Sequence, residues 1–243
     1  MSSKLIALVT GANKGLGFET SRQLAQNGIK VLMGARKEAK GRAAAEKLQS
    51  EGLDVGFILL DITKSEHIKH VKKYIEKHFG RLDILVNNAG MLHKEEPLVS
   101  NSVETISLKA LRQTFDVNFF GTVELTQALL PLIKKSAAGR IVNVSSILGS
   151  LAYQSEESEK FKPFAYDASK TALNQFTIHL SAALRNTPIK VNSAHPGWVK
   201  TDMGGSDAPM DVTEGAKTAV KLATLGPKGP TGKFFHFDEE MPW

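Results

Sequence analysis

The chain has 243 residues, of which 42% are hydrophobic and 23% charged, and this composition is typical of a globular protein rather than a fibre or a disordered chain. Its formal net charge is +6, but basic residues are interspersed with acidic ones, so we expect no nucleic-acid partner. The absence of cysteine excludes disulfides, thiol nucleophiles and thiolate metal sites, and makes the cytoplasm the default location.

Short apolar runs along the chain predict strands, and the longer segments between them predict helices. The first run ends at Thr10 and is too short for a signal peptide or a membrane span, so we expect no membrane partner. The runs lack polar alternation, as expected for parallel strands covered on both faces. Seven strands are predicted, at 5–9, 29–33, 55–60, 84–86, 141–144, 189–194 and 234–237.

Helices are predicted at 16–27 and 37–50, in a third segment with Ile68, Val71, Ile75 and Phe79 near one face, and at about 108–135, about 164–186 and 214–225. For the third of these we expect Thr63 or Ser65 to cap the start and Gly80 to end the helix. Strand and helix alternate throughout, which indicates a single doubly wound α/β domain over residues 1–243, with a seven-stranded parallel sheet and helices on both faces. Ligands of such a fold bind at the carboxyl ends of the strands.

Two segments are expected to be irregular. Residues 153–163 are polar and rich in charge, which indicates an exposed excursion. Residues 197–211 contain several glycines, a proline and two methionines, and we expect a mobile loop near the site.

A glycine-rich turn follows the first strand, in the order strand, turn and helix that a dinucleotide pyrophosphate requires. In Thr10-Gly11-Ala12-Asn13-Lys14-Gly15-Leu16-Gly17, Gly11 permits the turn, Gly15 lets phosphates approach the backbone, and Gly17 lets the helix lie close to the strand. The motif alone also fits a glycine-rich turn without a ligand.

The end of the second strand bears on which dinucleotide binds. An NAD site usually has an acidic residue there, whereas this chain has Arg36. We expect Arg36 and Lys14 to bind the 2′-phosphate of NADP(H); the alternative is that Arg36 only opens a surface helix. Asp61 and Ile62 end the third strand and are expected beside the adenine.

Tyr166 and Lys170 are four positions apart in a predicted helix, so their side chains share a face. A tyrosine needs a neighbouring cation to exchange a proton near neutral pH, and Lys170 supplies one. A serine at the end of the fifth strand would hydrogen-bond a substrate carbonyl. From the residues alone, both Ser145 and Ser146 are candidates, and only one can face the site.

Other side chains carry weaker signals. His67, His70 and His78 lie on a polar helix face without ligand spacing, so we expect no metal site. His195 is expected to be structural. Trp198 and Met203 are candidates for an apolar substrate wall, with core packing as the alternative for Trp198.

These motifs occur in one order, and together the whole chain resembles the short-chain dehydrogenase/reductase superfamily and its Rossmann-type fold. The resemblance rests on Thr10 to Gly17, Asp61, Asn87-Asn88-Ala89-Gly90, Asn118, Ser146, Tyr166 with Lys170, and Pro196-Gly197 followed by Thr201. Within the superfamily, the sequences around the glycine turn, Ser146 and Pro196 look most like carbonyl reductases, which favour NADPH and accept varied ketones and aldehydes.

The resemblance implies a role for each matching position. It selects Ser146 to orient the substrate, assigns a bound water to Asn118 and sheet stabilisation to Asn87, and implies that Lys170 binds the nicotinamide ribose and lowers the pKa of Tyr166, the proton donor. The expected cofactor-binding residues are Gly11, Asn13, Lys14, Gly15, Leu16, Gly17, Arg36, Asp61, Ile62, Asn88, Ala89, Gly90, Tyr166, Lys170, Pro196, Gly197, Val199 and Thr201.

One departure concerns assembly. Carbonyl reductases of this branch carry a long insertion between the serine and the tyrosine, whereas Ser146 and Tyr166 are only 20 residues apart. The sequence therefore leaves monomer, homodimer and homotetramer open. We expect NADPH-dependent reduction of a small carbonyl compound; the alternatives are an NADP-linked alcohol dehydrogenase for a specific metabolite and a catalytically silent NADP-binding regulatory protein.

Overall fold

The computed structural model describes residues 4–96, 103–156 and 162–243. Within them, a single sheet contains eight strands in the order β3-β2-β1-β4-β5-β6-β7-β8. All neighbouring pairs are parallel except β7 and β8. The strands are β1 (Ile6–Thr10), β2 (Lys30–Ala35), β3 (Val55–Leu59), β4 (Ile84–Asn87), β5 (Arg140–Val144), β6 (Lys190–Ala194), β7 (Phe234–His236) and β8 (Glu239–Glu240).

Helices cover both faces of the sheet, and alternate residues of each strand pack against opposite helix layers. Val9 of β1 belongs to the core beneath one layer, and Leu8 to the core beneath the other. The first layer is α1 (Gly15–Gln26), α2 (Glu38–Ser50) and α8 (Val212–Ala223); the second contains α3 (Ser65–Phe79), α4 (Leu108–Phe115), α5 (Gly121–Ile133) and α7 (Phe164–Ala183); a short helix, α6 (Leu151–Glu156), precedes α7.

The strand order reverses between β1 and β4, because the chain proceeds outward through β2 and β3 before it returns. At such a switch point the loops after neighbouring strands diverge and leave a crevice at the carboxyl ends. The doubly wound fold with helices on both faces is confirmed. The strand count differs, because Glu239–Glu240 adds a short antiparallel strand that its charged residues do not signal.

Several local predictions need correction. The predicted helix 108–135 is interrupted by a π-helical turn, Asp116–Phe120. The expected excursion includes the helical residues of α6 up to Glu156, while 157–161 lie outside the described residues. The predicted cap of α3 is wrong: Lys64 occupies the N-cap position without a side-chain hydrogen bond. Thr63 instead donates its hydroxyl to Asp61 Oδ1, 2.7 Å away.

A row of hydrogen-bonded polar side chains crosses the buried sheet beneath α5 and α7. Asn87 Nδ2 donates to Asn143 Oδ1 at 2.9 Å, and Asn143 Nδ2 donates to Thr177 Oγ1 at 2.8 Å. The Thr177 hydroxyl lies 2.9 Å from that of Ser193. The sheet-stabilising role expected of Asn87 is consistent with these contacts, since directional bonds fix the relative positions of β4, β5 and β6. Among the described helices, none is long and apolar enough to cross a lipid bilayer.

Candidate active site

The glycine turn between β1 and α1 has the backbone geometry that its sequence predicts. Gly11 and Gly15 have φ of 66° and 56°, in the left-handed region that favours glycine. A Cβ at Gly17 would lie 2.4 Å from Asn88 Nδ2 and 2.6 Å from the carbonyl oxygen of Gly11. The first turn of α1 can therefore lie this close to the end of β1 only because residue 17 has no side chain.

Thr10 and Asn88 fasten the glycine turn to the segment after β4. The Thr10 hydroxyl accepts hydrogen bonds from the backbone N–H groups of Asn88 at 3.0 Å and Ala89 at 2.9 Å. Asn88 Nδ2 donates to the carbonyl oxygen of Thr10 at 2.8 Å. The side-chain role of Thr10 was missed in the sequence, because it depends on the pairing of β1 with β4.

The residues expected to bind the adenosine end lie at the ends of β2 and β3. Arg36 is exposed directly after β2. Burial opposes ionisation of Asp61, but hydrogen bonds from Thr63 and the charges of Arg36 and Lys64 outweigh this effect and hold the pKa of the carboxyl below its usual value. The positive charge of Arg36 thus acts on the Asp61 carboxyl. The buried Ile62 follows Asp61.

Lys14 is positioned at the N-cap of α1, where a lysine side chain offers no acceptor to the first-turn N–H groups. Its ammonium forms an ion pair with Asp202 in the loop after β6. The charge of Lys40 on α2 also acts on Asp202. Asp202 and Lys40 were not predicted as site residues, because neither is adjacent in sequence to the glycine turn.

Tyr166 lies in the first turn of α7 and only 9% of it is exposed. Burial raises its pKa to about 12, opposed by a hydrogen bond with the Ser146 side chain. The Lys170 ammonium nitrogen lies 5.5 Å from the centre of the Tyr166 ring. The structure therefore brings together Ser146, Tyr166 and Lys170, three of the four side chains predicted to be catalytic; the fourth is Asn118. For the protein without cofactor, the expectation of a lowered pKa for Tyr166 is wrong, because the effect of burial on this pKa exceeds that of the neighbouring groups.

Lys170 is buried between α7 and the end of β5, with 4% of it exposed. Its Nζ donates to the carbonyl oxygen of Val144 at 2.8 Å, and burial lowers its pKa to about 8. A Cβ at Gly90 would lie 3.4 Å from Nζ. Gly90, in the segment after β4, therefore lies directly beside the ammonium group.

The alternative between the two serines is decided by their orientation. The Ser145 hydroxyl donates to the carbonyl oxygen of Lys170 at 3.5 Å, within the buried interior. Ser146 hydrogen-bonds with the Tyr166 side chain, and its Oγ accepts from the backbone N–H of Leu148 at 3.2 Å. Ser146 is therefore the serine on the side of the tyrosine.

Asn118 lies in the π-helical turn and is buried. Its Oδ1 accepts from the backbone N–H of Met91 at 2.8 Å, and its Nδ2 donates to Met91 O at 2.9 Å and Ser169 Oγ at 3.0 Å. A π-turn re-aims side chains relative to a regular helix and is common at functional sites. Here it points Asn118 at the segment after Gly90 and at α7.

The loop after β6 borders the other side of the site. Gly197 has a φ of 87°, Val199 is buried, and Thr201 would lie 3.5 Å from a Cβ at Gly15. Trp198 is 46% exposed and Met203 38% exposed, so core packing does not account for the tryptophan. Trp198 Nε1 donates to the carbonyl oxygen of Gly204 at 2.8 Å.

The histidines have structural contacts. His195 Nδ1 accepts from the backbone N–H of Ile147 at 3.3 Å, and burial lowers its pKa to about 3. His67 is half-buried and its Nδ1 accepts from the backbone N–H of Asp61 at 3.1 Å, so it is not a solvated side chain as its position on the polar face of α3 suggests. Within the described ranges, no group of three or more His, Asp or Glu side chains could hold a metal ion.

The chain is similar to known proteins in sequence and in fold. A family model described as short chain dehydrogenase matches residues 5–211. The chain belongs to this family. A curated family member, carbonyl reductase [NADPH] 1 from Mus musculus, is 35% identical over 283 aligned positions, which cover 100% of this chain and 99% of the relative. The aligned length exceeds 243 residues, so the mouse protein contains segments that this chain lacks.

Two solved structures of short chain dehydrogenase relatives extend the similarity to the whole fold. Carbonyl reductase Sniffer of D. melanogaster has a TM-score of 0.86 and 29% identity, covering 99% of this chain and 100% of the other. The NADPH-bound carbonyl reductase from chicken fatty liver has a TM-score of 0.85 and 29% identity, again covering 99% and 100%.

Proposed function

We propose that this short chain dehydrogenase is an NADPH-dependent carbonyl reductase in which Tyr166 delivers the proton. It reduces ketones or aldehydes to alcohols. The observation that carries the proposal is the proximity of Ser146, Tyr166 and Lys170 at the carboxyl end of β5. The relatives whose names specify NADPH and carbonyl reduction support the same activity.

The described residues fit NADP(H), the cofactor of the reaction. Among these residues, a Cβ at Gly15 would contact only Thr201, at 3.5 Å, so the backbone of the turn is open to a ligand there, and the positive end of α1 favours a pyrophosphate. Arg36 and Lys14 would hold the 2′-phosphate, as arginine and lysine favour phosphate oxygens. When bound, the cofactor supplies a hydride. The other residues that would line it are Gly11, Asn13, Gly15, Leu16, Asp61, Ile62, Asn88, Ala89, Gly90, Tyr166, Lys170, Pro196, Gly197, Val199 and Thr201.

Tyr166 holds its proton at the phenol oxygen throughout the neutral range, because its pKa is raised to about 12. The group is therefore available as the acid that reduction of a carbonyl requires. Ser146, hydrogen-bonded to Tyr166, orients the carbonyl oxygen and stabilises charge that develops on it. The positive charge of Lys170 stabilises the phenolate left after proton transfer.

Asn118 fixes the surroundings of this proton donor. Its side chain hydrogen-bonds to the backbone N–H and carbonyl oxygen of Met91 and to the hydroxyl of Ser169. The water that the resemblance assigns to Asn118 would carry protons from solvent toward Lys170. Trp198 and Met203, both partly exposed in the loop after β6, would form an apolar wall for the small-molecule carbonyl substrate.

Two broader properties also belong to the proposal. The chain forms a single domain over residues 1–243, which is supported by a sheet that contains strands from near both ends of the sequence. The protein acts in the cytoplasm; this rests on the lack of cysteine for disulfides.

Loss of NADPH absorbance with a panel of activated ketones and aldehydes tests the proposal. Tyr166→Phe should lower kcat by about 100-fold or more, since a positioned acid typically contributes that much, while the dissociation constant for NADPH stays within a factor of about two. Tyr74→Phe on α3, whose ring stacks on His78, is the matched control and should keep full activity. Cofactor binding without turnover across the panel would instead identify a regulatory NADP-binding protein.

A further inference from the structure

Glu96 is a buried carboxylate in the segment after β4 that the proposed chemistry does not use. Its exposed fraction is 1%. Oε1 accepts a hydrogen bond from the backbone N–H of Ala165 at 2.6 Å, and Oε2 accepts from the backbone N–H of Tyr166 at 3.2 Å. The residue therefore binds the main chain of the proton donor from 70 positions away in the sequence.

The first turn of α7 lacks a cap from its own sequence. The N-cap residue is Pro163, which makes no side-chain cap hydrogen bond. The first backbone N–H groups of any helix have no partner within the helix, and a buried one needs an acceptor from elsewhere. A carboxylate is also favoured at this end by the helix dipole. Glu96 thus performs for α7 the task that a local Ser, Thr, Asp or Asn usually performs.

Glu96 is held in place by its own segment. Its backbone N–H donates to the carbonyl oxygen of His93 at 2.9 Å, and His93 Nε2 lies 2.9 Å from Gln113 Oε1 on α4. Earlier in the same segment, Met91 is bound on both backbone groups by Asn118. The segment that begins at the expected cofactor-lining residues 88–90 is therefore held at successive points before the carboxylate of Glu96 reaches α7.

We propose that Glu96 is a positioning residue for proton transfer, which fixes the phenol of Tyr166 relative to Ser146 by holding the backbone N–H of Tyr166 itself. The inference rests on the proposed role of Tyr166 as proton donor. Tyr166 is the third residue of α7, so any fraying of the first turn moves the phenol directly. Lys170 lies one turn further along and is held independently by Val144.

Glu96 lies beside a second buried carboxyl group, that of Asp167. Asp167, next in the chain after Tyr166, lies close enough for their charges to interact; burial, together with the charge of Glu96, raises the pKa of Asp167 to about 8. Lys162 partly offsets this effect. Burial also raises the pKa of Glu96, while the N–H groups of Ala165 and Tyr166 and the nearby His93 favour its ionised form. The N–H groups at the start of α7 thus favour the ionised form of Glu96, while burial and the charge of Glu96 favour the protonated form of Asp167.

The test compares Glu96→Gln, Glu96→Asp and the control Glu95→Gln. A glutamine offers one acceptor oxygen and turns an N–H₂ donor toward a backbone donor. Glu96→Gln should therefore lower kcat by about tenfold, because small displacements of reacting groups are costly, and leave KM for NADPH within a factor of about two. Glu96→Asp keeps the charge and should retain more of kcat. Glu95 is a partly exposed neighbour, 3.9 Å from Lys109, and its variant should match the wild type.

Two further readouts separate positioning from a purely structural role. In the protein without cofactor, NMR amide exchange should show lost protection at Ala165 and Tyr166 in Glu96→Gln. The solvent deuterium isotope effect on kcat should increase, because proton transfer limits the rate more strongly. An unchanged kcat in both Glu96 variants, or a lowered Tm with unchanged kcat, overturns the inference. Full activity of Tyr166→Phe would instead refute the assigned proton donor, so the two failures are distinguishable.

Discussion

Asp202 forms an ion pair with Lys14, and this contact joins the loop after β6 to the glycine turn at the start of α1. Both side chains are largely exposed, at 79% and 63%, so the pair is weak and its partners can exchange. Lys14 is also an expected ligand of the 2′-phosphate. If Lys14 binds the phosphate as proposed, Asp202 and the phosphate compete for the same ammonium group.

Removal of the charge at Asp202 should strengthen NADPH binding. Asp202→Asn frees Lys14 for the phosphate, and we expect the dissociation constant for NADPH to fall by about two- to fivefold at low salt. The value for NADH should not change. Quenching of tryptophan fluorescence measures both constants. Asp207→Asn removes an exposed charge from the same loop and should have no such effect; an equal gain for NADH, or for Asp207→Asn, contradicts the competition.

Reversal of the charge at Arg36 should change the cofactor preference. Arg36→Asp replaces a phosphate-binding cation with an anion that suits ribose hydroxyls. KM for NADPH should rise by about tenfold or more, and KM for NADH should fall, since charge-assisted bonds to phosphate are strong. Steady-state kinetics with each cofactor measure the shift. Lys73→Asp on the exposed face of α3 makes the same change of charge elsewhere, and unchanged kinetics in Arg36→Asp would refute the assignment.

The activity should fall in alkaline solution because Lys170 loses its charge. Burial lowers the pKa of this ammonium group to about 8, so the cation that supports Tyr166 is present below that pH and lost above it. The value of kcat/KM for NADPH reports groups of the free enzyme and should fall by about tenfold per pH unit above the pKa. Lys170→Met should be weakly active without this dependence. A fall of the same shape in Lys170→Met would assign it to another group.

The fold was largely predictable because apolar runs mark the buried parallel strands, and alternation with helices fixes the architecture. Local exceptions were not predictable. Glu239–Glu240 forms a strand only through its antiparallel contact with β7. The π-helical turn at Asn118 has the composition of an ordinary helix. The capping of α3 was wrong, since Thr63 bonds to Asp61 rather than to the helix.

The site was predictable where motif spacing defines geometry, as for Tyr166 and Lys170 on one helix face. It was not predictable where a contact depends on folding. Glu96 has an unremarkable position in a charged segment, yet it caps α7. Asp202 belongs to a loop whose path cannot be read from composition. The pKa of Tyr166 depends on burial by the surrounding elements, which sequence does not specify.

The buried carboxyl of Asp167 should make stability depend on pH. Burial raises its pKa from 3.8 to about 8, so the folded state binds this proton more tightly than the unfolded chain. Its stabilising contribution is complete below the unfolded value and is lost as pH rises toward the folded value. Thermal unfolding of the wild type should therefore occur at lower temperature at pH of about 8 than at about 5.

An asparagine at position 167 cannot ionise, and it can still accept the hydrogen bond that Gln154 Nε2 donates at 3.0 Å. Asp167→Asn should therefore flatten the pH dependence of Tm between those two values. Asp211→Asn is a poor control, because Asp211 caps α8 through Glu214; Asp207→Asn is suitable. A pH dependence identical to that of the wild type would show that Asp167 is not the responsible group.

The polar row through Asn87, Asn143, Thr177 and Ser193 allows the alignment of the strands and the shape of the substrate-binding loops to be set by different residues. Hydrogen bonds between these buried side chains set the spacing of β4, β5 and β6. The ends of β5 and β6 are therefore aligned independently of the loops that follow the strands. The loops at the carboxyl ends of the strands can thus gain, lose or exchange residues and so alter which carbonyl compounds are accepted. The distances between the reacting groups stay the same.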